Sequence, residues 1–200
     1  MAVQVGIYVY DEVEVLDFAG PFEVFSTASR VAGRLSPGTP APFHVALVAE
    51  ARRTVVARAG FRVEPHFSID DHPPIDVLVV PGGVHDREMA KERVVEWIAR
   101  RYASARLTAS VCTGAFLLAR AGILDGLEAT THWEDCADLA AQFPKVRVRE
   151  GARFVEEGRI ATSAGISAGL DLSLRIVAKI AGDELARRTA RQMDYDWRQG

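Results

Sequence analysis

The sequence predicts an α/β protein: a mostly parallel central sheet, helices on both faces, and a cysteine at a sharp strand-to-helix turn. Three observations carry that prediction. Strand-like and helix-like segments alternate along the chain, the pattern of a sheet whose crossovers are helices. The segment "IDVLVVPGG" reads as a strand over 76–80 whose apolar run from Val77 is unbroken, as a central strand covered on both faces requires. The segment "LTASVCTGAFLLARAG" passes from a strand over 107–111 to a helix from Thr113, with Cys112 at the junction.

Taken in order, residues 3–9 alternate like a strand. Residues 21–31 read as a helix, with Gly20 as N-cap, Pro21 at the first helical position and Glu23 in the first turn. The Pro- and Gly-rich stretch 34–42 is a loop, and 43–48 is a second strand. Residues 53–63 form a small hairpin turning near Gly60. After the buried strand and its Pro-Gly-Gly loop comes a helix over 88–102. Beyond the cysteine turn, Asp125-Gly126 makes a tight turn, a short strand runs to Thr131, and a helix starts near Trp133. Short strands follow at 146–148, 154–156 and 159–162, the last two joined at Glu157-Gly158. Helices over 167–180 and 183–193 close the chain.

With 200 residues, the chain fits one domain, 1–200, with a well-buried core. Its net charge of −3 offers no broad basic field for nucleic acid. No apolar run is long enough to span a membrane, and "MAVQVGIYVY" reads as a strand rather than an export signal. A reducing cytoplasm is therefore expected, with both thiols, Cys112 and Cys136, free. The histidines show no ligand spacing with the cysteines, so neither a metal site nor a cofactor is expected.

In a parallel sheet, ligands bind beyond the C-terminal strand ends. Asp17, Gly82-Gly83 and Cys112 all fall at such ends and are expected on one rim. "SVCTG" has the form of a nucleophile elbow, which exposes the thiol and sets it near the N–H groups of a starting helix, favouring thiolate. A plain buried cysteine is the alternative reading of Cys112, and is the expected state of Cys136 within "WEDCADLAAQF". Asp17 lies among Val15, Leu16, Phe18 and Ala19, where apolar surroundings raise a carboxyl pKa; a structural role is equally open. Gly82 and Gly83 form either a plain turn or an N–H cradle for developing negative charge. His132 is either a base near the thiol or a hydrogen-bonded structural histidine.

Together, "VLDFAGPFEVF", "VLVVPGG", "SVCTGAFLLARAGILDGLEATTHW" and "GRIATSAGISAGLDLSL" resemble the ThiJ/PfpI superfamily, relatives of the class I glutamine amidotransferase fold. The resemblance implies a flavodoxin-like three-layer sandwich, a homodimer, and Cys112 as elbow nucleophile. Protease-like members carry histidine after the cysteine; Thr113 stands there here, which argues against peptidase activity. Asp17 in "LDFAGP" and Thr113 in "SVCTG" look most like the isonitrile hydratase branch. "TTHW" and "AGISAG" also fit the sensing domains of AraC-type regulators, without the helix-turn-helix module those carry.

Carried over, the resemblance implies a small-molecule substrate and hydration of an isonitrile to an N-substituted formamide. Thiolate Cys112 would attack, protonated Asp17 would give a proton, and Thr113 would orient one of them. N–H groups at Gly83 and Thr113 would stabilise charge. The pocket would be small and mostly apolar, with Phe18, Trp133 and Ile166 as walls. A redox or ligand sensor without turnover, and glyoxalase-type chemistry on 2-oxoaldehydes, are the alternative functions.

Overall fold

The structure is a computed structural model and describes residues 2–199. Apolar alternation at the start of the chain forms β1 (Val3–Tyr8), buried over its last four residues. The helix α1 that follows spans Val15–Leu35 and begins six residues before Pro21. Its N-cap is Glu14, not Gly20, so Asp17 and Phe18 lie inside its first turn. Pro21 sits in the helix interior, where it returns no N–H to the carbonyl of Asp17. Burial of Phe18, Val24, Phe25, Ala28 and Val31 along one stripe outweighs that lost bond.

Strand β2 (Phe43–Ala49) follows, then the expected hairpin of β3 (Val55–Val56) and β4 (Arg62–Val63), with a 3₁₀ turn at Arg58–Gly60 between them. Strand β5 (Phe67–Ser68) is too short to have shown a pattern in the sequence. Strand β6 (Val77–Val80) is buried at every position. The helix expected over 88–102 is two helices, α2 (Asp86–Met89) and α3 (Glu92–Ser104). The chain breaks at Lys91 (ψ 92°), between α2 and α3. There Glu88 turns inward to accept from the Tyr8 hydroxyl at 2.6 Å, and Lys91 pairs with Glu88 and Glu50.

Strand β7 (Leu107–Val111) and α4 (Gly114–Arg120) flank Cys112. Strand β8 (Glu128–Ala129) then precedes a 3₁₀ turn at Trp133–Asp135 and α5 (Cys136–Gln142), in which Cys136 is buried as expected. The remaining elements are β9 (Arg147–Val148), β10 (Phe154–Glu157), β11 (Ile160–Ser163), α6 (Ala168–Ala181) and α7 (Asp183–Gln192).

The main sheet has the order β10-β11-β7-β6-β1-β2-β5, parallel throughout except where β10 pairs with β11. Helices α1, α6 and α7 pack together as one group, and α2, α3 and α4 as another. The sheet lies between the two groups, which makes the three layers. From β1 the chain goes outward to β2 and β5, then returns to place β6 on the other side of β1. The strand order thus reverses between β1 and β6, where open α/β sheets form a crevice at their carboxyl ends. Among the described residues, no helix is long and apolar enough to cross a membrane.

Candidate active site

Three strand ends meet at that crevice. Beyond β1, residues 10–14 lie against residues 82–84. Val13 bridges Gly83, the Glu14 N–H donates to the Gly82 carbonyl at 2.9 Å, and the Val84 N–H to the Glu12 carbonyl at 3.1 Å. This pairing sets the first turn of α1 over the β6 loop. Gly82 must approach closely there: a Cβ on it would lie 2.5 Å from the Thr113 nitrogen and 3.0 Å from Asp17 Oδ2. At the end of β7, Cys112 adopts a left-handed backbone, φ 56°. Such a turn needs a small residue two positions on, and a Cβ at Gly114 would stand 2.0 Å from the Val80 carbonyl oxygen. The Cys112 N–H donates to Ser163 and Ala164 carbonyls, and its own carbonyl accepts from the buried Thr131 hydroxyl at 2.9 Å. In "TTHW", then, Thr131 braces the elbow, while Thr130 donates its N–H to the Thr162 hydroxyl.

Asp17 is fully buried. Its Oδ2 accepts from the Gly82 N–H at 3.0 Å; Oδ1 is buried with no hydrogen-bond partner. The carboxyl faces the Cys112 thiol, and loss of solvent pushes its pKa up to about 7, with Glu14 adding to the rise. Burial, and next the negative charge of Asp17, push the Cys112 thiol up to about 12. Backbone N–H groups of Thr113 and Ile166 point toward the sulfur and oppose this rise without cancelling it. Burial and the neighbouring carboxyl thus favour the thiol, against the thiolate that the start of a helix predicts. Helix α4 is only seven residues long, and burial of the sulfur, with the carboxyl of Asp17 next, raises the thiol.

Thr113 has a different task from the one expected. Its hydroxyl accepts from the Gly83 N–H at 2.9 Å and donates to the Gly83 carbonyl at 3.0 Å, clamping the loop rather than touching sulfur or acid. The N–H groups of Gly82 and Gly83 are thus both engaged, and neither is free to serve an anion.

Above Cys112 opens a cleft of about 340 Å³. Ile166 lines it as expected; Phe18 and Trp133 do not. Phe18 is buried in the core, and Trp133 stands 74% exposed outside the lining. His132 lines the cleft, with Nδ1 3.4 Å from Asp135 and 3.6 Å from Glu134. Its ring packs where a Cβ of Gly165 would otherwise stand. The lining is polar, not apolar. Glu14, Arg58, His85, Asp86, Glu134 and Asp135 line it with Val84, none of them singled out by the sequence. Arg58 arrives from the β3–β4 turn, and His85 packs at a tilt against Phe116 with ring centroids 4.4 Å apart.

A three-layer sheet protein with a cysteine elbow and a buried carboxyl at the strand-order reversal defines a class, and comparison places the chain within it. The chain belongs to the DJ-1/PfpI family, whose pattern it matches over residues 3–179. It is 32% identical over 196 residues to the isonitrile hydratase of Pseudomonas putida, covering 98% of this chain and 79% of that protein. It is 27% identical over 192 residues to the HTH-type transcriptional regulator GbdR of Pseudomonas aeruginosa, covering 96% of this chain and spanning half of the regulator. Among solved structures, a THiJ/PfpI family protein from Pseudomonas syringae superposes with a TM-score of 0.85 at 29% identity, covering 98% of this chain and 76% of that one.

Proposed function

We propose that the protein hydrates a small isonitrile to an N-substituted formamide, with Cys112 as nucleophile and Asp17 as its proton carrier. The observation that carries the reading is the buried carboxyl facing a buried thiol at a strained elbow, both beneath an open cleft. Likeness to a hydratase over nearly the whole chain supports it.

The pair holds one proton between sulfur and carboxylate once Asp17 has ionised, and the reaction uses that proton. The S–H bond breaks toward Asp17, sulfur bonds to the terminal isonitrile carbon, and Asp17 passes the proton to the same carbon. The product is a thioimidate, Cys112–S–CH=N–R, with Asp17 again a carboxylate. Water adds across the C=N bond; collapse of that adduct breaks the C–S bond, returns a proton to sulfur and releases R–NH–CHO. Atoms and charge balance without a cofactor. The Thr113 and Ile166 N–H groups, aimed at sulfur, stabilise negative charge as the S–H bond breaks.

Incubation with cyclohexyl isocyanide, followed by NMR for N-cyclohexylformamide, tests the reading. Turnover by the native chain and none by Cys112→Ala is expected. No formamide from the native chain removes the proposal. The likeness to GbdR favours a second reading, a ligand-sensing domain without turnover, in which the same cleft binds but does not convert. Binding of an isonitrile with no product supports that one.

A further inference from the structure

The cleft is charged in one sense. Four carboxylates line it, from Glu14, Asp86, Glu134 and Asp135, against one guanidinium, Arg58. Arg58 is already paired with Glu14 at 3.8 Å. Among the described residues, no lysine or arginine pairs with Asp86, Glu134 or Asp135; the last two reach only the imidazole of His132. With His85 and His132 both protonated, the lining would still keep an excess negative charge. The field reaches the floor, since Asp135 raises the Cys112 thiol and Glu14 raises Asp17.

We infer that the cleft selects substrates carrying a cationic or hydrogen-bond-donating group, such as an alkylammonium, and rejects those carrying a carboxylate. The nitrile-like end of the substrate reaches Cys112, and its charged group rests among Asp86, Glu134 and Asp135 near the mouth. The specificity statement rests on the hydratase reading; the field itself does not. A neutral isonitrile needs no such lining, so the carboxylates set which substituent R is accepted.

The test uses two thiol reagents of one shape and opposite charge, the ethylammonium and ethylsulfonate methanethiosulfonates. Each transfers its thioalkyl group to sulfur and releases methanesulfinate, so the rate of labelling at Cys112, read by peptide mass, reports the field. The cation-to-anion rate ratio, divided by that for 2-mercaptoethanol, should be about tenfold at low salt and should shrink as salt is added. In the triple variant Asp86→Asn, Glu134→Gln, Asp135→Asn it should fall toward that of the free thiol. A ratio equal to that of 2-mercaptoethanol in the native chain, or one unmoved by salt and by the triple variant, overturns the inference. An isonitrile bearing a quaternary ammonium should then be hydrated faster than isocyanoacetate. A raised labelling ratio without formamide would sink the hydratase reading alone. Formamide with a ratio matching the free thiol would sink the selectivity alone.

Discussion

Replacing Asp17 by Asn should make the protein more stable above neutral pH while disabling it. The carboxyl is fully buried, with a pKa of about 7 against 3.8 for a solvated aspartate. Below about pH 4 both folded and unfolded chains carry the protonated form, and burial costs little. Between about pH 4 and 7 the unfolded chain loses its proton while the folded one keeps it, so stability falls as pH rises. Above 7 the loss is complete. At about 1.4 kcal/mol per unit, the separation amounts to about 4 kcal/mol. Asn keeps the acceptor for the Gly82 N–H and fits the same space, but it does not titrate. Urea unfolding of the two proteins at pH steps from 4 to 9 measures the difference directly. The gap between them should open by about 4 kcal/mol in favour of Asp17→Asn, which is roughly 10 °C in Tm for a chain of this size. Parallel curves would show that Asp17 ionises normally, and the reasoning from its burial would be refuted.

Other outcomes follow from the same geometry. Hydration rate should rise with pH through about 7, as Asp17 becomes the carboxylate that accepts the thiol proton, and Asp17→Asn should show a flat, near-zero profile. Thr113→Val should lose about 1–3 kcal/mol of stability, because it leaves the Gly83 N–H without its acceptor and takes one of two donors from the Gly83 carbonyl, which keeps His85 Nδ1 at 3.3 Å; urea midpoints report this. Gly82→Ala should cost activity far more than its added methyl suggests, since its Cβ would collide with the Thr113 backbone and crowd Asp17; formamide production measures it. Gly165→Ala should displace the His132 ring, which its Cβ would meet at 2.1 Å, and the histidine's NMR shifts should move.

Much of the layout was legible because its signals are local. The apolar run of β6, the hairpin at Gly60 and the x-x-Cys-x-Gly elbow each follow from a few neighbouring residues, and each appears where expected. Asp17 and Cys112, nearly a hundred residues apart, are expected on one rim because parallel crossovers bring strand ends together. What the sequence misled on depends on tertiary packing. Pro21 marks a helix start by local rules, yet α1 begins at Val15, with Asp17 and Phe18 buried in the turn that precedes the proline. Cys112 favours the thiol because burial, and next the carboxyl of Asp17 from another element, raise its pKa, and neither is visible in the local elbow pattern. Arg58 and His85 carry no motif; the hairpin and the Pro-Gly-Gly loop deliver them to the cleft only once folded.

The account depends on a bond forming between Cys112 and the isonitrile carbon. Acid-quenched mixing of enzyme and isonitrile, followed by intact and peptide mass measurement, looks for that bond. An adduct heavier by the full mass of one substrate molecule, located on Cys112 and decaying as formamide appears, is the predicted result. Formamide released at the native rate by Cys112→Ala, with no adduct on the native chain at any time, would contradict it.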